Sequence, residues 1–219
     1  MFLSHQQIAD NFDRFVPILA HQQRENIHES CLDLRVGDEV YLSGHSTPAH
    51  LSDDEPYVVL PPGQFALVKT YERIATPPEY VGLISIRFRY KLQGLTNISG
   101  FHVDPNFAGY LIFSVHNVGP NDIRLRYKDA VFMIMWAQLT EPYPIPASFA
   151  GQKQREGPSR ITLEQMAQLG GATMTISSLR EEVKSLALQL KIYGGLAIAA
   201  LGGILILVLR QLFASPAFR

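Results

Sequence analysis

The chain has 219 residues, and 19 Lys and Arg against 20 Asp and Glu give it a formal net charge of −1 at pH 7. This charge balance excludes the strong basic excess that is typical of nucleic-acid-binding proteins, so no nucleic acid partner is expected. The single cysteine, Cys31, excludes an intrachain disulfide and the cysteine-rich kinds of zinc site, and no metal site is predicted.

Residues 1–145 predict one mainly β domain. A short helix is expected near residues 4–15, and β-rich runs separated by turns that contain Gly and Pro follow it. Many short strands at close spacing favour a sandwich or barrel over alternating strands and helices. The predicted strands are residues 31–34, 40–42, 57–60, 64–71, 80–88, 110–116, 123–125 and 131–139.

Residues 100–120 carry the most information in this domain. They predict a tight β-hairpin whose turn contains Asp104, Pro105 and Asn106 and whose second strand ends at Asn117. Hydrophobic and polar side chains cluster at the turn, which is typical of a binding site for a small planar ligand. The strand at 110–116 contains no carboxylate, and the importance of that absence depends on the chemistry of the domain.

A connector and a helix follow the β domain. Residues 146–161 predict a polar loop, and residues 162–191 predict an amphipathic helix with Ser159 or Thr162 as its N-cap. Apolar residues at spacings of three and four form a heptad seam, which predicts self-association. Ile176 and Val183 at one seam position favour a parallel dimer. The alternative is an amphipathic helix that lies on its own globular domain.

Residues 192–209 predict a membrane span. These 18 residues contain no charge, and as a helix they are about 27 Å long, close to the hydrocarbon thickness of about 30 Å. A tail of ten residues, 210–219, follows. The pattern predicts a single-pass tail anchor that leaves the N-terminal domain in the cytoplasm, and the alternative is a buried C-terminal helix.

Several motifs stand in a recognisable order along residues 2–161. They are Ser-Cys-Leu-Asp from Ser30, Pro-Pro-Gly from Pro61, Val-Asp-Pro-Asn-Phe from Val103, Asn-Val-Gly-Pro from Asn117 and Gly-Pro-Ser-Arg from Gly157. In this order the chain resembles the dCTP deaminase branch of the dUTPase-like family. The resemblance implies a distorted β-jelly-roll or barrel that assembles as a homotrimer, with deoxynucleotide sites between subunits. It implies no resident cofactor, although Mg²⁺ can accompany a nucleoside triphosphate. The heptad helix and the apolar span are not part of the family pattern.

One position departs from the chemistry that the resemblance implies. Deamination of cytosine needs a carboxylate that activates water and shuttles its proton, and counting back from Asn117 places Ser114 at the position of the family's glutamate. His116 lies on the same strand face, and histidine is a common general base near neutral pH, although the favoured interpretation of His116 is a half-buried strand histidine. The resemblance also matches Asp104 to an aspartate of the family that lies against the sugar and, in dUTP hydrolysis, orients water.

The phosphate-binding run of the family also differs. Arg87-Phe88-Arg89-Tyr90-Lys91 stands where the resemblance implies an Arg-Ser-Ser-like run that holds the triphosphate. Three cations in five residues suit phosphate, and the alternative is a solvated edge strand with Arg87, Arg89 and Lys91 on one face. The resemblance adds Asp104, Phe107, Gln152, Ser159 and Arg160, which match family positions at the pocket and in its C-terminal closing segment, so the nucleotide-binding candidates are these five together with Arg87, Arg89 and Lys91.

Two functions follow from these comparisons of single positions. The first is a catalytically degenerate, membrane-anchored relative that acts as an oligomeric nucleotide-binding or scaffold module. The second is an active dCTP deaminase, or a dUTP pyrophosphohydrolase, with displaced catalytic groups.

Overall fold

A curled β-sheet forms most of the first of two units into which the chain divides, Met1–Thr175 and Ile176–Arg219. The computed structural model describes residues 1–144, 155–169 and 176–214, with side chains for 1–144, 156–169 and 182–207. Gln152 and most of the predicted loop 146–161 lie outside the described residues.

The described secondary structure confirms the mainly β fold. Its helices are α1 His5–Asp10, α2 Phe12–Phe15, α3 Phe88–Lys91, α4 Leu163–Leu169 and α5 Ile176–Ala214, with 3₁₀ turns at Leu19–His21 and Arg24–Asn26. Its strands are β1 Ile27–His28, β2 Cys31–Leu42, β3 Ala49–His50, β4 Tyr57–Leu60, β5 Phe65–Thr76, β6 Tyr80–Ile86, β7 Leu95–Asn97, β8 His102–Val103, β9 Phe107–Asn117, β10 Ile123–Arg126, β11 Ala130–Gln138 and β12 Arg155–Glu156.

Strand β2 curls the sheet because its two halves pair with different neighbours. Its first half pairs with β11, from Leu32 to Arg35, and its second half pairs with β5, from Val36 to Leu42. The whole path runs β12-β9-β5-β2-β11-β6-β8, while β4 and β10 form a separate two-stranded ribbon. Bulges increase local twist, and β2 bulges between Val36 and Val40. The apolar face of the curl encloses one core, which includes the fully buried side chains of Trp136, Phe12, Phe15, Phe113 and Phe132.

A buried ion pair joins the bend of β2 to a bulge in β5. Arg35 and Glu72 are 6% and 1% exposed, and the Nε of Arg35 lies 2.5 Å from Oε1 of Glu72. The backbone N–H of Arg35 donates to the other carboxylate oxygen at 2.8 Å. Burial raises the pKa of Glu72, although the hydrogen bonds and charge of Arg35 oppose that shift. Arg35 also donates to the side chain of Gln23 and to the carbonyl of His21, so it ties the N-terminal segment to the sheet.

The prediction that residues 100–120 form a β-hairpin is wrong, because the strands on the two sides of the turn do not pair with each other. The turn at Asp104 is present, but β8 before it pairs with β6, whereas β9 after it pairs with β5, β7 and β12. Asn106 adopts a φ of +64°, in the left-handed region that asparagine tolerates. The turn therefore sends the chain from one half of the curl to the other.

The C-terminal helices differ in extent from the predicted pattern. Thr162 caps α4, since its Oγ1 accepts from the N–H of Gln165 at 3.2 Å and its N–H donates to the Gln165 side chain. Ile161 and Met166 then pack against Tyr41 and Leu67 of the β-sheet, so this part of the predicted helix lies on its own domain. The second unit holds α5, which runs without a break from the predicted heptad seam into the apolar span.

Replacement of Glu72 by Gln should destabilise the β domain much more than the same change in a surface pair. The E72Q variant leaves the guanidinium of Arg35 buried without a counter-charge, which costs about 3–5 kcal/mol. Glu79→Gln is the matched control, because Glu79 lies 3.1 Å from Arg14 in an exposed pair that contributes about 0–1 kcal/mol. Denaturant unfolding of both variants measures the difference, and equal losses would contradict the role assigned to the buried pair.

Candidate functional site

A cleft opens beside the turn at Asp104. Its volume is about 310 Å³, at the lower end of the range for ligand pockets. Strands β6, β8 and β9 form its walls, and the segment at 156–158 forms one rim. The lining residues are Ile84, Ser99, Gly100, His102, Val103, Asp104, Phe107, Leu111, Ile112, Glu156, Gly157 and Pro158.

The aromatic wall of the cleft is held by a close approach of two backbones. An ideal Cβ on Gly109 would lie 2.7 Å from the Cα of Gly157, and one on Gly157 would lie 2.5 Å from Cζ of Phe107. The N–H of Gly157 donates to the carbonyl of Ala108 at 2.8 Å, which continues the parallel pairing of β12 with β9. The predicted site residue Phe107 therefore lines the cleft, with its ring against the C-terminal segment.

Two carboxylates line the cleft, and each has a cationic or potentially cationic neighbour. Nε2 of His102 lies 3.3 Å from Oδ1 of Asp104, with both side chains about half exposed. Glu156 lies 3.4 Å from a guanidinium nitrogen of Arg73. The structure thus places the predicted Asp104 in the cleft and adds His102 and Glu156, which the sequence analysis did not select.

Ser114 is not among the lining residues of the cleft, but it is hydrogen-bonded to one of them, Ser99. Its N–H donates to Oγ of Ser99 at 3.3 Å, and its carbonyl accepts from the N–H of Ile98 at 2.8 Å. Ser99 in turn donates to the side-chain oxygen of Asn97 at 2.5 Å. The backbone of Ser114 therefore helps to hold Ser99 in the wall of the cleft.

His116 packs against an aromatic ring on the neighbouring strand. It pairs with Phe65 across β5 and β9, and the two rings stack with centroids 3.8 Å apart and planes 8° from parallel. The cleft is lined by other residues, so the predicted candidates Ser114 and His116 do not meet Asp104 there.

The three predicted phosphate-binding cations have separate partners. Arg87 forms an ion pair with the buried Asp33, which also lies 3.0 Å from Nε2 of His28. Arg89 donates to the hydroxyl of Tyr90 at 2.9 Å, and Lys91 donates to Oγ of Ser85 at 2.8 Å. The edge-strand alternative is wrong, because α3 places residues 88–91 in a helical turn that begins after Arg87.

Buried charges hold the C-terminal segment on the sheet. Lys69 is 6% exposed, its Nζ lies 2.7 Å from Asp38, and it donates to the carbonyl of Ser159 at 3.3 Å. Glu39, also buried, accepts from the N–H of Ile161 at 2.9 Å. Burial raises the pKa of Asp38, but the hydrogen bond and charge of Lys69 outweigh this effect, so that pKa lies below its ordinary value.

The predicted Ser159 and Arg160 are exposed on this segment, and sequence reasoning missed the groups that hold it. The sequence feature that could have indicated these groups is a lysine at position 69 and a glutamate at position 39, each inside a predicted β-rich stretch. A charged side chain is rarely buried unless it is paired. Within the described residues, no group of three or more His, Cys, Asp or Glu side chains is placed to hold a metal ion.

Residues 2–139 match the family model described as dCTP deaminase-like. The chain is 32% identical over 139 residues to the dCTP deaminase of Pyrococcus abyssi, and this alignment covers 64% of this chain and 85% of that protein. It is 29% identical over 136 residues to the dUMP-forming dCTP deaminase of Methanothermobacter thermautotrophicus, covering 55% of this chain and 69% of that protein.

The matching solved structures include a deaminase and a dUTPase. The 2′-deoxycytidine 5′-triphosphate deaminase from Agrobacterium tumefaciens matches with a TM-score of 0.49 at 18% identity and covers 62% of this chain. This chain spans only about half of it, 48%. The EIAV dUTPase matches with a TM-score of 0.41 at 18% identity, covering 57% of this chain and 87% of that one.

Replacement of Gly157 by Ala should loosen the aromatic wall of the cleft. The added methyl group overlaps the ring of Phe107, and overpacking of this kind costs about 1–3 kcal/mol. Hydrogen exchange at the amide of residue 157 should accelerate, because its bond to Ala108 must lengthen when the segment moves. The matched control is Gly100→Ala, since a Cβ there meets nothing within 4 Å. Adding Phe107→Leu to G157A should restore part of the lost stability, and no rescue would contradict the contact.

Proposed function

Because the chain belongs to the dCTP deaminase-like family, we propose that it is a membrane-anchored member that binds a deoxynucleotide without deaminating it. It works as an oligomeric nucleotide-binding module. The alternative is an active dCTP deaminase or dUTP pyrophosphohydrolase with displaced catalytic groups.

The observation that carries this proposal is the environment of Ser114. A serine hydroxyl does not act as a general base near neutral pH without a basic partner. His116, the nearest titratable group along the strand, stacks on Phe65. The cleft carboxylates Asp104 and Glu156 lie next to His102 and Arg73. This arrangement supports binding more than proton transfer at Ser114.

The cleft suits the base and sugar of a nucleoside. Its walls are mainly apolar, with Phe107 available for stacking and a few polar groups that fix orientation, as in other small-molecule sites. The curated relatives are named for action on dCTP, which supports a deoxycytidine nucleotide as the ligand. Mg²⁺ would arrive with a triphosphate, and the candidate cations Arg87, Arg89, Lys91 and Arg160, with Gln152 and Ser159, would supply the phosphate contacts.

Helix α5 supports the anchoring part of the proposal. The stretch Glu182–Leu207 is long enough to cross a bilayer, and an 18-residue window of it has a mean hydropathy of 2.0 and contains no buried residue. An anchor there leaves the β domain in the cytoplasm. The resemblance implies a homotrimer, and the heptad seam that begins α5 would add to self-association.

The full chain in mild detergent should bind dCTP without turning it over. Thermal unfolding in the presence of dCTP should shift upward, because a ligand that binds only the native state stabilises it. Ammonia and pyrophosphate release from dCTP and dUTP should stay at the level of a protein-free blank. Turnover at ordinary enzyme rates, about 1–10³ s⁻¹, would overturn the proposal in favour of the active alternative.

A matched pair of variants tests whether the cleft is the binding site. Asp104→Asn changes a lining residue and should reduce the thermal shift produced by dCTP. Asp122→Asn removes an exposed carboxylate that is not among the lining residues and should leave the shift unchanged. Equal shifts in the two variants would place the ligand elsewhere.

Charges placed in the centre of the apolar stretch should weaken membrane anchoring. Each arginine at the centre of a spanning helix costs about 2.5–3.5 kcal/mol on insertion. The double variant Leu201→Arg, Ile204→Arg should therefore shift protein from the membrane pellet to the supernatant after alkaline extraction. Leu163→Arg is the control, because Leu163 is exposed on α4. Equal retention of both variants would show that this stretch does not anchor the chain.

A further inference from the structure

The two-stranded ribbon of β4 and β10 has one buried face and one exposed face. Side chains alternate between the faces along both strands. The buried face consists of four apolar residues, Val58, Leu60, Ile123 and Leu125. The opposite face, which we call the outer face of the ribbon, consists of Tyr57, Val59, Arg124 and Arg126, all of them exposed. The ribbon therefore shows solvent two apolar side chains and two cations.

The two arginines lie across the ribbon from the two apolar side chains. In the register of the pair, Arg124 is opposite Val59 and Arg126 is opposite Tyr57. The guanidinium carbons of Arg124 and Arg126 lie 5.5 and 5.8 Å from the centre of the Tyr57 ring. A cation is attracted to the face of an aromatic ring, so one tyrosine holds both guanidinium groups on the outer face.

The positive charge of the outer face has no internal counter-charge. Among the described residues, the side chains of Arg124 and Arg126 form no ion pair and no hydrogen bond, and their contacts are those with Tyr57. Lys128, farther along the same segment, lies 3.0 Å from Asp53. The guanidinium groups are therefore available to an anion outside the chain.

The chemistry of the outer face matches the surface of an anionic bilayer. Guanidinium groups suit phosphate oxygens, and tyrosine is enriched where a membrane meets water. The cytoplasmic leaflet of a membrane carries a negative surface potential that attracts nearby cations. Lys184 and Lys191, which precede the apolar stretch 192–209, are further cations suited to that surface.

The size of the outer face favours a bilayer over a soluble partner. Four side chains are far fewer than the about 20–30 residues that each partner gives to a stable protein–protein interface. A weak contact becomes effective when a second attachment keeps the two surfaces close together. An anchor in α5 supplies that attachment for a bilayer, because it belongs to the same chain.

We propose that the outer face of the ribbon docks on the headgroups of an anionic bilayer. Arg124 and Arg126 bind lipid phosphate and carboxylate oxygens, and Tyr57 lies at the level of the headgroups. The proposal rests on the anchoring part of the proposed function, which keeps the β domain near the membrane. Docking turns this side of the domain towards the bilayer, and added salt weakens it because exposed charges are screened.

A fluorophore on the outer face tests the docking. Full-length chains with Cys31→Ala and Val59→Cys carry a polarity-sensitive fluorophore at residue 59 and are placed in phosphatidylcholine nanodiscs with or without phosphatidylserine. The emission should shift to the blue when phosphatidylserine is present, and salt should reverse the shift. A fluorophore on Leu19→Cys is the control, since Leu19 is 81% exposed and lies outside the ribbon. The same emission from residue 59 in both lipids would overturn the proposal.

A matched pair of double variants tests the two arginines. Arg124→Gln with Arg126→Gln should lower the ratio of docked to free domain at least about tenfold, because each arginine near an anionic surface contributes to the attraction. Arg14→Gln with Arg24→Gln removes the same charge from exposed positions outside the ribbon and should leave the blue shift unchanged. An equal loss in both double variants would overturn the proposal, since it would show an effect of net charge alone.

Two further measurements separate the lipid from other anions and docking from anchoring. A blue shift with inorganic phosphate or polyglutamate in phosphatidylcholine discs, but none with phosphatidylserine, would overturn the lipid as the ligand. Co-elution of the chain with both kinds of disc tests the anchor. If the chain enters neither, the anchoring proposal fails, and docking stands only where phosphatidylserine vesicles still bind the chain and the loss of Arg124 and Arg126 abolishes that binding.

Discussion

The buried pair of Arg35 and Glu72 holds together the two halves of the curled sheet. Arg35 lies where β2 leaves β11 and turns to β5, and Glu72 lies in the bulge that β5 forms opposite this bend. Thr70 closes the bulge, because its hydroxyl donates to the carbonyl of Glu72 and accepts from the N–H of Leu111. A charged pair at this point tolerates no change of register, since any slip would bury an unpaired charge. The curl that creates the cleft depends on this constraint.

A second set of charges extends the domain beyond its strands. Lys69 and Glu39, both buried in strands, each bind backbone of the C-terminal segment at 159–161. That attachment brings Gly157 against Phe107 and leads into α4, which covers an apolar patch of the sheet. One rim of the cleft is therefore built by a segment whose position depends on side chains on the other side of β9.

The sequence was a good guide to strands and a poor guide to their partners. The predicted strand at 57–60 coincides with β4, and the pattern at 110–116 lies inside β9. The hairpin failed because alternation reports which face is buried but not which neighbour a strand pairs with. The two runs at 31–34 and 40–42 are one strand, since Gly37 sits in a bulge so close to Thr70 that a Cβ would lie 2.6 Å from its carbonyl oxygen. Helix α3 occupies residues 88–91, where one alternative was an edge strand, and Arg89 and Lys91 donate there to the hydroxyls of Tyr90 and Ser85.

The sequence by itself determined the family, the mainly β domain, the apolar C-terminal stretch and the serine at position 114. These properties reside in residue identity and local periodicity. The tertiary structure decided which groups share the cleft, because that depends on long-range strand pairing. It brought Asp104 and Phe107 together with His102 and Glu156, and it paired Arg87 with the buried Asp33.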